Sequence, residues 1–551
     1  MQLKKAANLA FKKASATLLS SIFAGVIGAL CSASLLAKNQ ATVEVAPHAS
    51  NIQQINILHS LNNSSLSLKD EVAKLYHLQN YKLIWSSGKQ YNNNAFELFK
   101  VIQNAENLGL NPADYDAEVI QYFLESTIND PKILSKLDIT FTHAYIQLAI
   151  HLAKGRYIQA STIQDEGVSL IQKLNEAVNN RAVSITLKNL QPRNASYSRL
   201  ALALKKYRSL KDEYDPIVLN TRSLTIGDKS TEVIKLRKRL YDYGDYIGTN
   251  LHNDKLDETL ALAITRFQDR HGLEADGILG KRTVIELNKP IAARIQQLEL
   301  NLERSRQLPA FNQGRHLIIN IPEYRLYVNE NGRTIYQSRV VVGKKKNKTP
   351  VFSSKLTELV LNPYWNVPKS ITSKEIIPKL QQDPDYLARN NMKVLGIFNN
   401  QTHVVNPETV DWSSINLTDL PFRIRQDPGA QNSLGRIKFI FPNAYSVYLH
   451  DTPSRHLFAS NNRAYSHGCI RLEDPLGLAE VLLSDINTWS KDDLSYFVKR
   501  KRPKTIKLDN PIPIHITYMT AWVDDQAIIN FRPDIYKRDR KFTSTLYNAA
   551  H

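Results

Sequence analysis

Two cysteines occur in the 551 residues, and only Cys469 lies among residue types that do chemistry: Ser466-His467-Gly468-Cys469-Ile470-Arg471-Leu472. Cys31 sits in an apolar N-terminal run that export would remove or a membrane would bury, so Cys469 has no disulfide partner in the mature chain. A lone thiol in an exported protein is a nucleophile, half of an intermolecular disulfide, or an inert core cysteine. Its neighbours favour the first reading. Gly468 allows close backbone approach of a substrate, and an imidazole nearby can take the proton of the thiol. A second histidine, His450, closes residues 445–450, which read as a strand with Tyr445, Val447 and Leu449 on one face and Ser446, Tyr448 and His450 on the other. His450 is then free to point into a cleft. Beyond the thiol, Asp474 can cap and Pro475 open a helix through Leu476, Ala479, Leu482 and Leu483. That places Cys469 just ahead of a helix start, where backbone amides and the helix dipole favour a thiolate and a tetrahedral oxyanion. Strand-end histidine, pre-helical cysteine and the glycine beside it make a site for acyl transfer.

The elements that hold these residues read mainly as strands. Leu317, Ile319 and Ile321 alternate with Ile318, Asn320 and Pro322, and residues 325–328, the turn Glu330-Asn331-Gly332 and residues 338–342 follow as a hairpin. Residues 436–441 pair with 445–450 across Pro442-Asn443. Between about 369 and 432 the pattern breaks into helical turns at Ile376, Ile377 and Leu380, then Asp411-Trp412 and Pro421-Phe422, and reads as a lid over the cleft. Residues 512–523 alternate again, Asp524-Asp525 turns the chain into 527–531, and these strands are expected to complete the catalytic sheet. The tail, 536–551, has no readable role.

Three further units precede this domain. Residues 67–215 are helical; Phe141, Ala144, Tyr145, Leu148 and Leu152 form one apolar stripe ended by Gly155, and His143 and His151 read as packing or surface residues. Residues 218–292 form a smaller unit with an amphipathic helix carrying Val233, Leu236 and Leu240 that Ser230 can cap, and a second helix with Leu260, Ile264 and Phe267. A charged helical connector covers 293–312. At the start, Lys4, Lys5, Lys12 and Lys13 precede the uncharged residues 14–37, the grammar of an export signal or, at that length, of a signal anchor in the inner membrane. Residues 38–66 are polar and read as a flexible tether. The formal charge of +19, four of it from the signal lysines, suits an anionic partner, which outside the cytoplasm means wall polymer or a membrane surface, or else serves solubility alone. The basic residues lack interleaved aromatics, so nucleic acid is not an expected partner.

Residues 218–292 resemble the three-helix peptidoglycan-binding domain in Gly227-Asp228, Arg239-Leu240, Phe267-Gln268 and Asp276-Gly277. The C-terminal half resembles the L,D-transpeptidases with a YkuD-type catalytic domain, in their large Gram-negative form. The signature is His450, a gap of 15 residues, then Ser466-His467-Gly468-Cys469, with Ile470 and Arg471 following; Asn362-Pro363-Tyr364-Trp365, Leu434-Gly435-Arg436 and His450-Asp451-Thr452-Pro453 agree as well. Residues 67–215 resemble the scaffold of the same proteins. The fold this implies is multidomain α+β: a helical scaffold, a small three-helix peptidoglycan-binding domain, and a mainly β catalytic domain over 313–535 with a lid. The implied chemistry has Cys469 attack the third-residue carbonyl of a tetrapeptide stem and expel D-alanine. The side-chain amine of a second stem, or water, then takes the acyl group. In that scheme His450 is general acid and base, amides around Gly468 hold the oxyanion, His467 orients the site or binds substrate, and Arg471, Ser466, Tyr448 and Trp365 contact substrate. A structural salt bridge is the competing role for Arg471. No metal or cofactor is implied. The implied partners are peptidoglycan stems and glycan strands in the periplasm, with room for other cell-wall synthesis proteins.

Three other classes compete. A zinc site built from His450, His456, His467 and Cys469 lacks metal-ligand spacing. A wall-binding protein with a silent catalytic domain would not need every signature residue. A carboxypeptidase or endopeptidase of the same fold would use the same cysteine and histidine, and differs only in its acceptor.

Overall fold

The computed structural model describes residues 49–548 apart from 88–89, 157–162, 211–212, 221, 310–313, 399–400, 418–419 and 485–488. The signal expected over 1–37 and the first part of the tether, 38–48, therefore lie outside the described residues. Among those described, no helix is long and apolar enough to cross a membrane. Residues 49–62 are helical rather than a flexible tether, and Ile57 and Leu61, one turn apart, are buried in the scaffold core.

The scaffold is built on α1 (Pro131–Lys154), capped by Asp130 and ended at Gly155. Its predicted stripe, Phe141, Ala144, Tyr145, Leu148 and Leu152, is fully buried. His151 bonds the Tyr115 hydroxyl at 2.9 Å, and His143 lies 3.3 Å from the Ser67 hydroxyl. The next unit packs α2 (Thr231–Tyr243), α3 (Glu258–Arg270) and α4 (Lys281–Leu287) around Val233, Leu236, Leu240, Leu260, Ile264 and Phe267. Ser230 caps α2, accepting the Glu232 N–H. The predicted connector is α5 (Ile291–Arg306), a buried strut rather than a linker. Its Arg306 and Glu303 pair at 3.0 Å with no exposed side-chain surface, and Asn301 exchanges two hydrogen bonds of 2.9 Å with Thr520 in the catalytic domain.

The catalytic domain begins with β1 (His316–Asn320), β2 (Arg325–Glu330), β3 (Arg333–Gly343) and β4 (Phe352–Leu361). The lid supplies β5 (Trp365–Asn366), β6 (Met392–Phe398), β7 (Gln401–Val405) and β8 (Phe422–Gln426). Then come β9 (Ile437–Ile440), β10 (Leu449–His450), β11 (Ala464–Ser466), β12 (Ile470–Leu472), α6 (Pro475–Leu483), β13 (Lys504–Thr517), β14 (Ala521–Val523), β15 (Ile529–Phe531) and α7 (Arg538–Asn548). The main sheet runs β11-β3-β12-β10-β9-β4-β13-β1-β2, and β2 also pairs with β3, closing the sheet on itself. Closure leaves few exposed edges and fixes strand positions on all sides.

Three expectations need correcting, and the tail, for which the sequence offered no reading, has structure of its own. The lid is not a set of helical turns alone: it has its own four-stranded sheet, ordered β5-β8-β6-β7, and its own core around Ile376, Leu380, Val394, Phe422 and Ile424. Residues 445–450 do not form one strand. Asn443 takes the N–H groups of Tyr445 and Val447 and donates to the Phe441 and Val447 carbonyls, so its side chain makes a turn with Ser446 at φ +55°, and only Leu449–His450 pairs. The β14–β15 hairpin stands outside the catalytic sheet and buries Ala521, Val523 and Phe531 in the core of the α2–α4 unit. The tail is structured too: Tyr536 is buried, and Asp539 of α7 pairs with Arg304 of α5 at 2.7 Å.

Candidate active site

The sheet determines which side chains share the site. Lys438 of β9 lies opposite His450 of β10, and His450 lies beside Arg471 of β12, so these three form one row across adjacent strands. The neighbouring row, Leu359, Phe439, Leu449 and Ile470, is fully buried in the barrel core. Alternation therefore sends Lys438, His450 and Arg471 to the other face. Tyr448 and Cys469 precede His450 and Arg471 by two residues and share that face, and the Tyr448 carbonyl accepts the Ile470 N–H at 3.1 Å.

Cys469 ends the tight turn 467–469 between β11 and β12. Gly468 sits at φ +121°, a conformation that favours glycine. The Ser466 hydroxyl donates to the Cys469 carbonyl at 2.5 Å and accepts the Gly468 N–H at 3.1 Å; the Thr349 hydroxyl donates to the Gly468 carbonyl at 2.8 Å. Two expected roles change as a result. Ser466 is buried and committed to the turn instead of to substrate, and the Gly468 amide already has an acceptor. The N–H of Cys469 itself has no partner among the described residues. Nor does a helix start beside the thiol. Ile470 and Leu472 alternate into the core as β12, and α6 begins only at Pro475, where Asp474 accepts the Gly477 N–H.

Cys469 is half-buried, and burial pushes its thiol up; the Tyr448 backbone and hydroxyl and the charges of Lys438 and Arg471 pull it back. The thiol points to the Ser446 carbonyl at 3.9 Å, not directly at His450. His450 is buried, with Nδ1 2.6 Å from the Asp451 carbonyl oxygen. A carbonyl can only accept, so Nδ1 carries the proton and Nε2 is the free base. Burial, then the Arg471 charge, push His450 down to about 3, which keeps the imidazole neutral. Asp451 is itself fixed: its carboxylate accepts the Arg436 N–H at 2.8 Å and the Thr452 N–H at 2.7 Å.

Arg471 has no acid within ion-pair distance among the described residues, and its buried Nε has no hydrogen-bond partner, so the salt-bridge reading finds no support. Lys438, which the sequence did not single out, places its ammonium 4.0 Å from the centre of the Tyr448 ring. Burial and the nearby Cys469 push the Tyr448 hydroxyl up, and Trp365, where the lid begins, acts on it in the opposite sense. Deeper in the lid, Glu375 bonds His467 at 2.5 Å and so ties the lid to the catalytic turn; Lys344 lies 3.4 Å from the same imidazole nitrogen. Glu375 carried no signal in the sequence, because nothing local links it to a residue 92 positions away.

The chain matches three family models: the YkuD L,D-transpeptidase catalytic domain over 314–512, a scaffold domain over 70–204, and a domain described as "Putative peptidoglycan binding domain" over 229–287. The chain therefore carries a YkuD-type catalytic domain behind a scaffold and a peptidoglycan-binding domain. A Haemophilus influenzae protein named "Putative L,D-transpeptidase" is 38% identical over 246 residues, which is 45% of this chain and 48% of that protein; the match thus spans about half of the relative. Among solved structures, an L,D-transpeptidase from Stackebrandtia nassauensis matches at 15% identity and TM-score 0.21, covering 54% of this chain and 97% of that one. L,D-transpeptidase 3 from Mycobacterium tuberculosis, holding a faropenem-derived adduct, matches at 11% identity and TM-score 0.18, covering 37% and 60%. These scores are too low to bear on this chain.

Proposed function

We propose that this protein is a periplasmic L,D-transpeptidase that forms 3-3 cross-links in peptidoglycan through an acyl-enzyme on Cys469. The observation that carries the reading is the shared sheet face: Cys469, His450, Tyr448 and Arg471 all project to the side opposite the barrel core, and the lid reaches the same turn through Glu375 and His467. The thiol turns from the Ser446 carbonyl and gives its proton to His450 Nε2. The thiolate attacks the carbonyl carbon of the third, diaminopimelyl residue, and the Cys469 N–H supports the oxyanion. The carbon–nitrogen bond breaks, and D-alanine leaves with the proton from His450. The side-chain amine of a diaminopimelyl residue on a second stem then attacks the thioester, loses a proton to His450 and releases the thiol. Arg471, half-buried and without an acid among the described residues, is placed to hold a stem carboxylate through its planar fork. Trp365 and Tyr448 line the donor side, and the α2–α4 unit holds the glycan strand. Export across the inner membrane, on a cleaved signal or an anchor, puts the enzyme where this polymer lies.

The test is mass spectrometry of the mature protein incubated with disaccharide-tetrapeptide, with and without a second stem. A tripeptidyl adduct on Cys469 and a dimeric 3-3 product are expected, and Cys469→Ala should abolish both. Tripeptide as the sole product would assign a carboxypeptidase. No adduct and no product would reduce the domain to a wall-binding role.

A further inference from the structure

The face that carries Cys469 is rich in cations and short of anions. Lys438, a half-buried lysine, has no ion-pair partner among the described residues. The carboxylate nearest in register is Glu358, which lies opposite Ile440, two residues along β9, and acts on Lys438 from beyond ion-pair distance. Arg471, at the other end of the row, has a buried Nε without an acceptor. Between them stands His450, held neutral with its Nδ1 proton committed to the Asp451 carbonyl. Half-buried cations without an acid partner have lost part of their hydration, and a ligand that brings negative charge offsets that cost. The two cations occupy different places relative to the reaction. Lys438 is directly across from His450, where cross-strand Cβ atoms lie about 4.5–5.5 Å apart. The leaving amine must meet His450 to receive its proton, and the carboxylate carbon of that leaving residue is roughly 2.5 Å from its nitrogen by standard backbone geometry. The carboxylate therefore falls beside the Lys438 ammonium, whose flexible stem can follow it.

We propose that Lys438 is the residue that reads the free C-terminal carboxylate of the donor stem, so that the enzyme selects a leaving amino acid over the corresponding amide or a longer peptide. The inference rests on the acyl-transfer reading above, with His450 as the acid for the leaving amine. It leaves Arg471 for a carboxylate on the acyl side of the bond.

Two donors separate this role from a merely structural one: a tetrapeptide stem ending in D-alanine, and the same stem ending in D-alaninamide. Both give the same tripeptidyl adduct on Cys469, so one intact-mass assay compares their acylation rates directly. The wild type should prefer the free acid. Lys438→Met should slow acylation by the free acid about 10- to 100-fold more than acylation by the amide, the worth of a charge-assisted hydrogen bond, on top of whatever both donors lose through the Lys438 charge on the thiol. Lys438→Arg should keep most of the preference. Equal slowing of both donors by Lys438→Met would overturn the proposal in favour of support for Tyr448 or the thiolate, and a wild type indifferent to the terminal amide would overturn it outright. Absence of an adduct from either donor in the wild type would instead sink acyl transfer itself, and the subsite with it.

Discussion

Gly435→Ala tests how the barrel holds His450 from a distance. Gly435 lies at φ +60°, and a methyl group added there would land inside the Asp451 carboxylate. An alanine in the left-handed region costs roughly 1–2 kcal/mol. The displaced carboxylate must give up at least one of its two short bonds to the Arg436 and Thr452 amides, at about 1–3 kcal/mol for a buried group left unpaired. The loss is thus about 2–5 kcal/mol, and the melting temperature should fall by on the order of 10 °C. Activity should fall further. The Asp451 carbonyl is the acceptor that fixes His450 Nδ1, and a base misplaced by about 1 Å can cost ~100-fold in rate. The assay is Cys469 acylation by a tetrapeptide donor, well below the melting temperature and beside a control. Gly429→Ala is that control, since an added methyl group there meets nothing within 4 Å. If Gly435→Ala melts lower but acylates at the wild-type rate, Asp451 does not position His450 and the reasoning fails.

Glu375→Ala removes the bond between lid and catalytic turn, so a larger share of acyl-enzyme should go to water; the ratio of tripeptide to cross-linked product reads this, and an unchanged ratio would show that the contact does not hold the lid closed. Tyr536→Phe removes the hydroxyl that donates to the Gly343 carbonyl and accepts the Thr349 N–H behind the turn, and should lower stability by about 1–3 kcal/mol in a denaturant titration. Acid should destabilise the fold through its buried histidines. Burial pushes His450 and His151 down to about 3 and His515 to about 4, against about 6.5 when unfolded. The unfolded chain then binds more protons between these values, so their contribution is complete above pH 6.5 and is lost as pH falls toward 3. Asp138, pushed up to about 6 by burial, acts in the opposite sense. Melting temperature against pH should therefore be flatter in His450→Ala below pH 6.5, and an identical slope would assign the effect elsewhere.

What the sequence revealed was what short-range pattern encodes. The stripe on α1, the caps at Ser230 and Asp474 and the alternation at Leu317 and Ile319 are local rules, and the structure follows them. The same rules misled where a side chain or a distant strand competed with them. Asn443 captured the backbone of Tyr445 and Val447, shortening a strand whose alternation looked sound. The three residues after Cys469 were needed to fill a gap between β3 and β10, which no local signal announces, and so the helix began later. The lid strands were hidden in the same way, because β8 finds its partners in β5 and β6, far apart in the chain.

Lys438 shows the limit most clearly, and also why the limit is physical. In residues 436–441 it is an ordinary polar position on an alternating strand, indistinguishable from a solvated lysine. The register of the β9–β10 pair puts it opposite His450, and the Tyr448 ring lies under its ammonium, beyond the turn that Asn443 makes. A neutral histidine between two cations is a weak base at rest, yet a proton taken from Cys469, as the proposed reaction requires, would create the negative charge that this row lacks. The same cations that help depress His450 also lower the Cys469 thiol, and so offset part of what burial adds to the cost of a thiolate there.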